Sequence, residues 1–230
     1  MPSKFPPRIY RFHLPAEEIE GATHVGHALE MLERYEQDFT MNIHLLAFAD
    51  QQIRDRSKQG PAPDDVDLWR KNIGILGAWR NIAGRDGAMA LYNYGKALEA
   101  ISELLGNPPL GLCPTLRNLI DYKAFKAQRK RFDTAFPNII LIRHAVSHAA
   151  ELMAHPADAR QNLFSGDYSG GGIEIKASGF GGGLYVDGVY EDTVTRTIDG
   201  KVLTYKLSGK SALELEAIRL AVWAIFQPPE

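Results

Sequence analysis

Only one cysteine, Cys113, occurs in the 230 residues, so no internal disulfide can form and the chain suits a reducing compartment. No nucleophile signature surrounds it, and it reads as a small buried apolar residue. Long hydrophobic runs are also missing. The apolar stretch 220–226 is far short of the roughly 18 residues that a membrane-crossing helix needs. The first fifteen residues are broken by prolines and hold no apolar core of signal-peptide length. The expectation is a cytoplasmic protein without a membrane partner. Neither sign of charge dominates: the net charge is −2, so any contact with nucleic acid must come from a local patch. The glycine-rich region lacks the Gly-Lys-Ser/Thr of a phosphate loop. A nucleophile elbow, a kinase signature, a Cys-x-x-Cys pair and internal repeats are absent too.

Helical periodicity dominates what remains. Residues 1–15 form a proline-punctuated arm. A long helix is expected from Ala16 to about Arg56, where Val25, Leu29, Leu32, Phe39, Ile43 and Leu46 recur near a period of 3.5 and only Glu36 interrupts. Asp64 and Asp65 suit the start of a second helical region, with Leu68, Ile75, Trp79 and Ile82 on one face. Gly84 there is a break or a close-packing point. Ala90, Tyr94, Leu98, Ile101 and Leu105 continue the helical pattern, and Gly106-Asn107-Pro108-Pro109 ends it. One or two shorter helices fit residues 116–132. Long helices and short loops predict an antiparallel bundle over residues 16–155.

The composition changes after Pro156. Nine glycines fall between Gly166 and Gly188, followed by alternating strand patterns. Asp199-Gly200 is a two-residue hairpin signal between residues 193–198 and 201–207. A meander of three or four strands and a closing helix, 212–226, are expected over residues 166–227, with the helix packed back on the bundle. The fold class is mostly α, an antiparallel helical bundle carrying a C-terminal β-meander and a closing helix.

The chemistry concentrates in residues 137–153. Pro137 suits a first helical turn, and Ile139, Ile142, Val146, Ala149, Ala150 and Met153 form an apolar stripe. His144, His148 and Glu151 project from the other side, with Arg143 on the flank. Arg143-His144-Ala145-Val146-Ser147-His148 resembles the Arg-x4-6-His signature of HEPN domains, small helical bundles in which the motif lies on a late helix. His144 stands where asparagine is commoner in that family.

The resemblance implies a homodimer through the 137–153 helix and a composite site, in which both protomers supply a metal-independent endoribonuclease without a cofactor. His148 then serves as acid/base and Arg143 as phosphate clamp, with His144, Ser147 and Glu151 in support. On an ideal helix Arg143 and His148 stand about 140° apart, which also favours a site shared across a twofold axis. Histidine titrates near neutrality, and the guanidinium fork matches phosphate oxygens. The resemblance equally admits a non-catalytic module that binds a cognate protein partner, as in a toxin–antitoxin or defence pair.

Lys126, Arg129 and Lys130, within a basic run from Lys123 to Arg131, and Arg80 are candidates to contact RNA phosphates; the alternative is a solvated, ion-paired surface. A different alternative is a metal held by His144, His148 and Glu151, supplemented by His155 or by His24, His27 and Glu30.

Overall fold

The computed structural model describes residues 5–9, 12–61, 65–106, 111–148, 154–170, 173–176 and 183–227. The fold is mostly α, with long helices, two small antiparallel sheets and a closing helix, in agreement with the sequence pattern. After a short 3-10 turn at Ala16–Glu18 come α1 (Ile19–Gln59) and α2 (Val66–Leu104), then α3 (Pro114–Leu119), α4 (Tyr122–Ala135) and α5 (Ile139–Ser147). Then follow α6 (Pro156–Asn162), β1 (Asp167–Gly170), β2 (Ile173–Lys176), β3 (Asp187–Tyr190), β4 (Thr193–Ile198), β5 (Lys201–Lys206) and α7 (Gly209–Ile225). No helix among the described residues is long and apolar enough to cross a membrane.

The chain forms two compact units, Met1–Asp38 with Ala90–Pro137 and Lys210–Glu230, and Phe39–Met89 with Asn138–Gly209. Helices α1 and α2 therefore contribute one part to each.

The first unit is helical. Its apolar stripes meet in a core that includes Leu29, Leu32, Tyr94, Leu98, Phe125, Phe132 and Trp223, all buried. Several polar side chains in that core have partners from distant parts of the chain. Trp223 Nε1 donates to the Leu29 carbonyl at 3.0 Å, and the Tyr94 hydroxyl donates to the Leu215 carbonyl at 3.0 Å. Glu36, the one charged interruption in the α1 stripe, accepts from Arg219 Nε of α7 at 2.6 Å. The Arg219 guanidinium also lies 4.3 Å from the Trp223 ring centroid. Burial pushes the Glu36 carboxyl above its ordinary 4.5, and Arg219 pulls against that rise.

The second unit combines the α1–α2 hairpin with the strands. Trp69 Nε1 donates to the Arg56 carbonyl at 3.2 Å, and Phe48 and Trp79 stack with centroids 6.0 Å apart, which fixes the two helices side by side. Strands β3, β4 and β5 form one antiparallel sheet, and β1 and β2 form a separate hairpin, so the predicted meander is five short strands in two sheets. The Asp199-Gly200 turn is present: Ile198 pairs with Lys201, and both turn residues have positive φ, 50° and 69°, as this hairpin type requires.

Strand β4 is buried along its whole length. Val189 and Val194 press against Gly84 of α2, where an added Cβ would lie 2.7 Å from Val189 Cγ2. The Tyr205 hydroxyl donates to the Gly84 carbonyl, and Leu207 and Tyr205 crowd Gly87. Gly84 is thus a close-packing point within a continuous helix, because missing side chains let the sheet approach the α2 backbone.

Candidate site on helix α5

Helix α5 is shorter than its hydrophobic pattern predicts. It begins at Ile139, since Asn138 takes a left-handed conformation (φ 62°) that ends the turn after Pro137 and that asparagine tolerates. It ends at Ser147; His148 is the C-cap, with φ −116° and ψ 21°, and its amide donates to the His144 carbonyl. The expected last turn, Ala149 to Met153, lies outside the described residues, and Glu151 lies there with it. His148 leaves the helical path, so its direction no longer follows the ideal wheel.

Of the expected apolar stripe Ile139, Ile142 and Val146 are buried, with Ala145 beside them, while Ala149, Ala150 and Met153 lie outside the described residues. Within its compact unit α5 packs against β4 and β5, which gives the meander a role that the sequence did not disclose. The sheet is the seat of the motif helix. On the other side Ile140, His144 and Ser147 are exposed, while Arg143 and His148 are half-buried. The rings of His144 and His148 lie 4.7 Å apart at 41°, and the Ser147 hydroxyl donates to Met89 Sδ at 3.6 Å. Two imidazoles side by side offer both an acid and a base for proton transfer.

The remaining candidates are distributed differently. Arg80 belongs to the same compact unit as α5, but its Nε lies 2.7 Å from Asp50 Oδ1 with both side chains largely covered. A phosphate at Arg80 must compete with that ion pair. Arg85 pairs with Asp86 at 3.2 Å.

Lys126, Arg129 and Lys130 lie on α4 in the helical unit. Lys126 and Lys130 are exposed, Arg129 is half-buried, and Lys126 Nζ sits 4.9 Å from the Tyr122 ring centroid. Arg131 binds both oxygens of Glu214, at 2.6 and 2.9 Å, and this holds the Glu214 carboxyl below its ordinary range.

His155 is the extended N-cap of α6, with Pro156 in the first turn, so it is not part of α5. His24, His27 and Glu30 are exposed on the part of α1 that belongs to the helical unit. Among the described residues no group of three or more His, Cys, Asp or Glu side chains is placed to hold a metal ion.

Cys113 is buried, as read from the sequence. Its thiol donates to the Glu18 carbonyl at 3.8 Å, and burial, with the nearby Glu18 carboxylate, raises its pKa to about 11. Thiolate is therefore scarce at neutral pH, and the residue is unsuited to nucleophilic work. The Glu18 carboxylate accepts from the Thr115 and Leu116 amides at the start of α3, which explains a buried acid there.

Among the charged pairs that sequence reading missed, Arg196, buried in β4, bonds Asp187 of the neighbouring β3 at 2.5 Å. The available signal was an arginine inside an alternating strand. Beside this pair, Ile173, Ile175, Val186, Gly188 and Thr195 line a cavity of about 470 Å³.

No family model, curated protein or solved structure matches the chain.

Proposed function

We propose that the protein is a HEPN-like, metal-independent endoribonuclease acting as a homodimer, with a site built from α5 of both protomers. The observation that carries this reading is the division of α5 into two faces. The sheet holds the apolar face, while the face bearing His144, Ser147 and the paired His148 is open to solvent or half-covered.

In the reaction, His148 accepts the proton of an RNA 2′-hydroxyl. The 2′-oxygen attacks the adjacent phosphorus, and the bond from phosphorus to the 5′-oxygen breaks. His144 returns a proton to that leaving oxygen. The products are a 2′,3′-cyclic phosphate and a 5′-hydroxyl end. Arg143 of the opposing protomer holds the non-bridging oxygens, where negative charge grows in the transition state. Lys126, Arg129 and Lys130 contribute to RNA affinity through the phosphate backbone.

The test is RNA cleavage in EDTA by the wild type and by folded Arg143→Ala and His148→Ala proteins. The expected outcome is cyclic-phosphate ends from the wild type and a loss of about 100-fold or more in each variant, the scale of a lost acid/base or oxyanion contact. Failure of the wild type to cleave any of several RNAs overturns the nuclease reading in favour of a non-catalytic partner-binding module. Cleavage that survives both substitutions overturns the residue assignment.

A further inference from the structure

Within the α1–α2 hairpin of the second unit, large apolar side chains face solvent. Leu68 (52%), Ile75 (43%), Trp79 (38%) and Ile82 (37%) of α2 are exposed, as are Met41 (66%) and Phe48 (52%) of α1. Successive separations of seven, four and three residues put the α2 group within about 60° on the helix surface. The Phe48–Trp79 stack joins both helices into one patch. Together these side chains present roughly 600 Å² of apolar surface, against the about 800 Å² per partner that a standard interface covers. A patch of this size on one face differs from the single exposed apolar residues that any protein carries.

We propose that this face pairs with the same face of a second copy, α2 antiparallel to α2 across a twofold axis at Ile75. An isologous contact requires a surface that complements itself when reversed. The α2 stripe satisfies this. Leu68 and Ile82 stand seven residues on either side of Ile75, so reversal lays Leu68 on the partner's Ile82 and Ile75 on the partner's Ile75. The same register brings Lys71, an exposed cation, to the partner's Trp79, whose ring face suits it. An unrelated partner has no reason to find a palindromic pattern. The interface is separate from the α5 pairing proposed above and does not depend on RNA cleavage.

The test is solution mass by light scattering on the full chain, with cysteine crosslinking to read the register. Ile75→Asp is expected to halve the mass of the wild-type assembly, whereas Ile140→Asp on α5 leaves the Ile75-dependent association in place. Ile75→Cys is expected to form a disulfide-linked dimer on mild oxidation, which Leu68→Cys alone does not, since Leu68 faces the partner's Ile82. Cys113 stays silent because it is buried. Far-ultraviolet circular dichroism confirms that each variant is folded. A monomeric wild type overturns the proposal. So does an Ile75→Asp protein with unchanged mass, or crosslinking by Leu68→Cys as readily as by Ile75→Cys.

Discussion

At the scale of single residues, identical side chains carry opposite roles according to what lies beside them. Gly84 and Gly77 both sit inside α2. At Gly84 a Cβ would meet Val189 at 2.7 Å and both Val194 methyls at 3.3 Å, while at Gly77 nothing lies within 4 Å. Gly77→Ala is therefore expected to stabilise the protein by about 0.5–1 kcal/mol, the helix-propensity difference between the two residues. Gly84→Ala should destabilise by about 1–3 kcal/mol, since packed strands must shift. Urea unfolding of both variants checks this; equal effects of the same sign would show that the sheet does not press on α2 at Gly84. The sequence left Gly84 open as a break or a contact, because helical periodicity says nothing about what approaches from outside. For Cys113 it was sufficient, since burial of a lone cysteine is the ordinary outcome.

At the scale of elements, the long periodic helices and the Asp199-Gly200 hairpin were legible because local chemistry decides them. The start and end of α5 were not. Its stripe continues past Ser147, yet the helix stops at His148, and the left-handed Asn138 delays its start. The role of Glu36 was equally hidden, because its partner Arg219 comes from the far end of the chain. That pair yields a prediction. Arg219→Met leaves the Glu36 carboxylate, only 15% exposed, without its cation and should cost about 3 kcal/mol, whereas Glu36→Leu with Arg219→Met should cost little. The pH dependence has a defined sign. The Glu36 carboxyl is raised by burial, so its contribution is fully present below the ordinary 4.5 and is lost as pH rises through the raised value. Glu214, lowered by Arg131, contributes above the ordinary value and loses that as pH falls through the lowered one. Stability measured from pH 3 to 8 should decline on the alkaline side of 4.5 in the wild type and lose that decline in the Leu/Met double variant. A decline that persists in the double variant would remove Glu36 as its cause.

At the scale of the whole molecule, the β-strands serve the motif helix. Composition alone indicated a glycine-rich meander, but only the structure places β4 and β5 under α5, with His144 and His148 paired on its far side. The proposed activity needs two such helices, because Arg143 of one protomer and His148 of the other complete each site. Mixing the Arg143→Ala and His148→Ala proteins tests this most directly. Each should be inactive alone. After subunit exchange at equal amounts, half the dimers are mixed and each carries one intact site, so cleavage should return to about a quarter of the wild-type rate. A mixture as inactive as its components, with exchange verified by mass, would contradict a site shared between protomers.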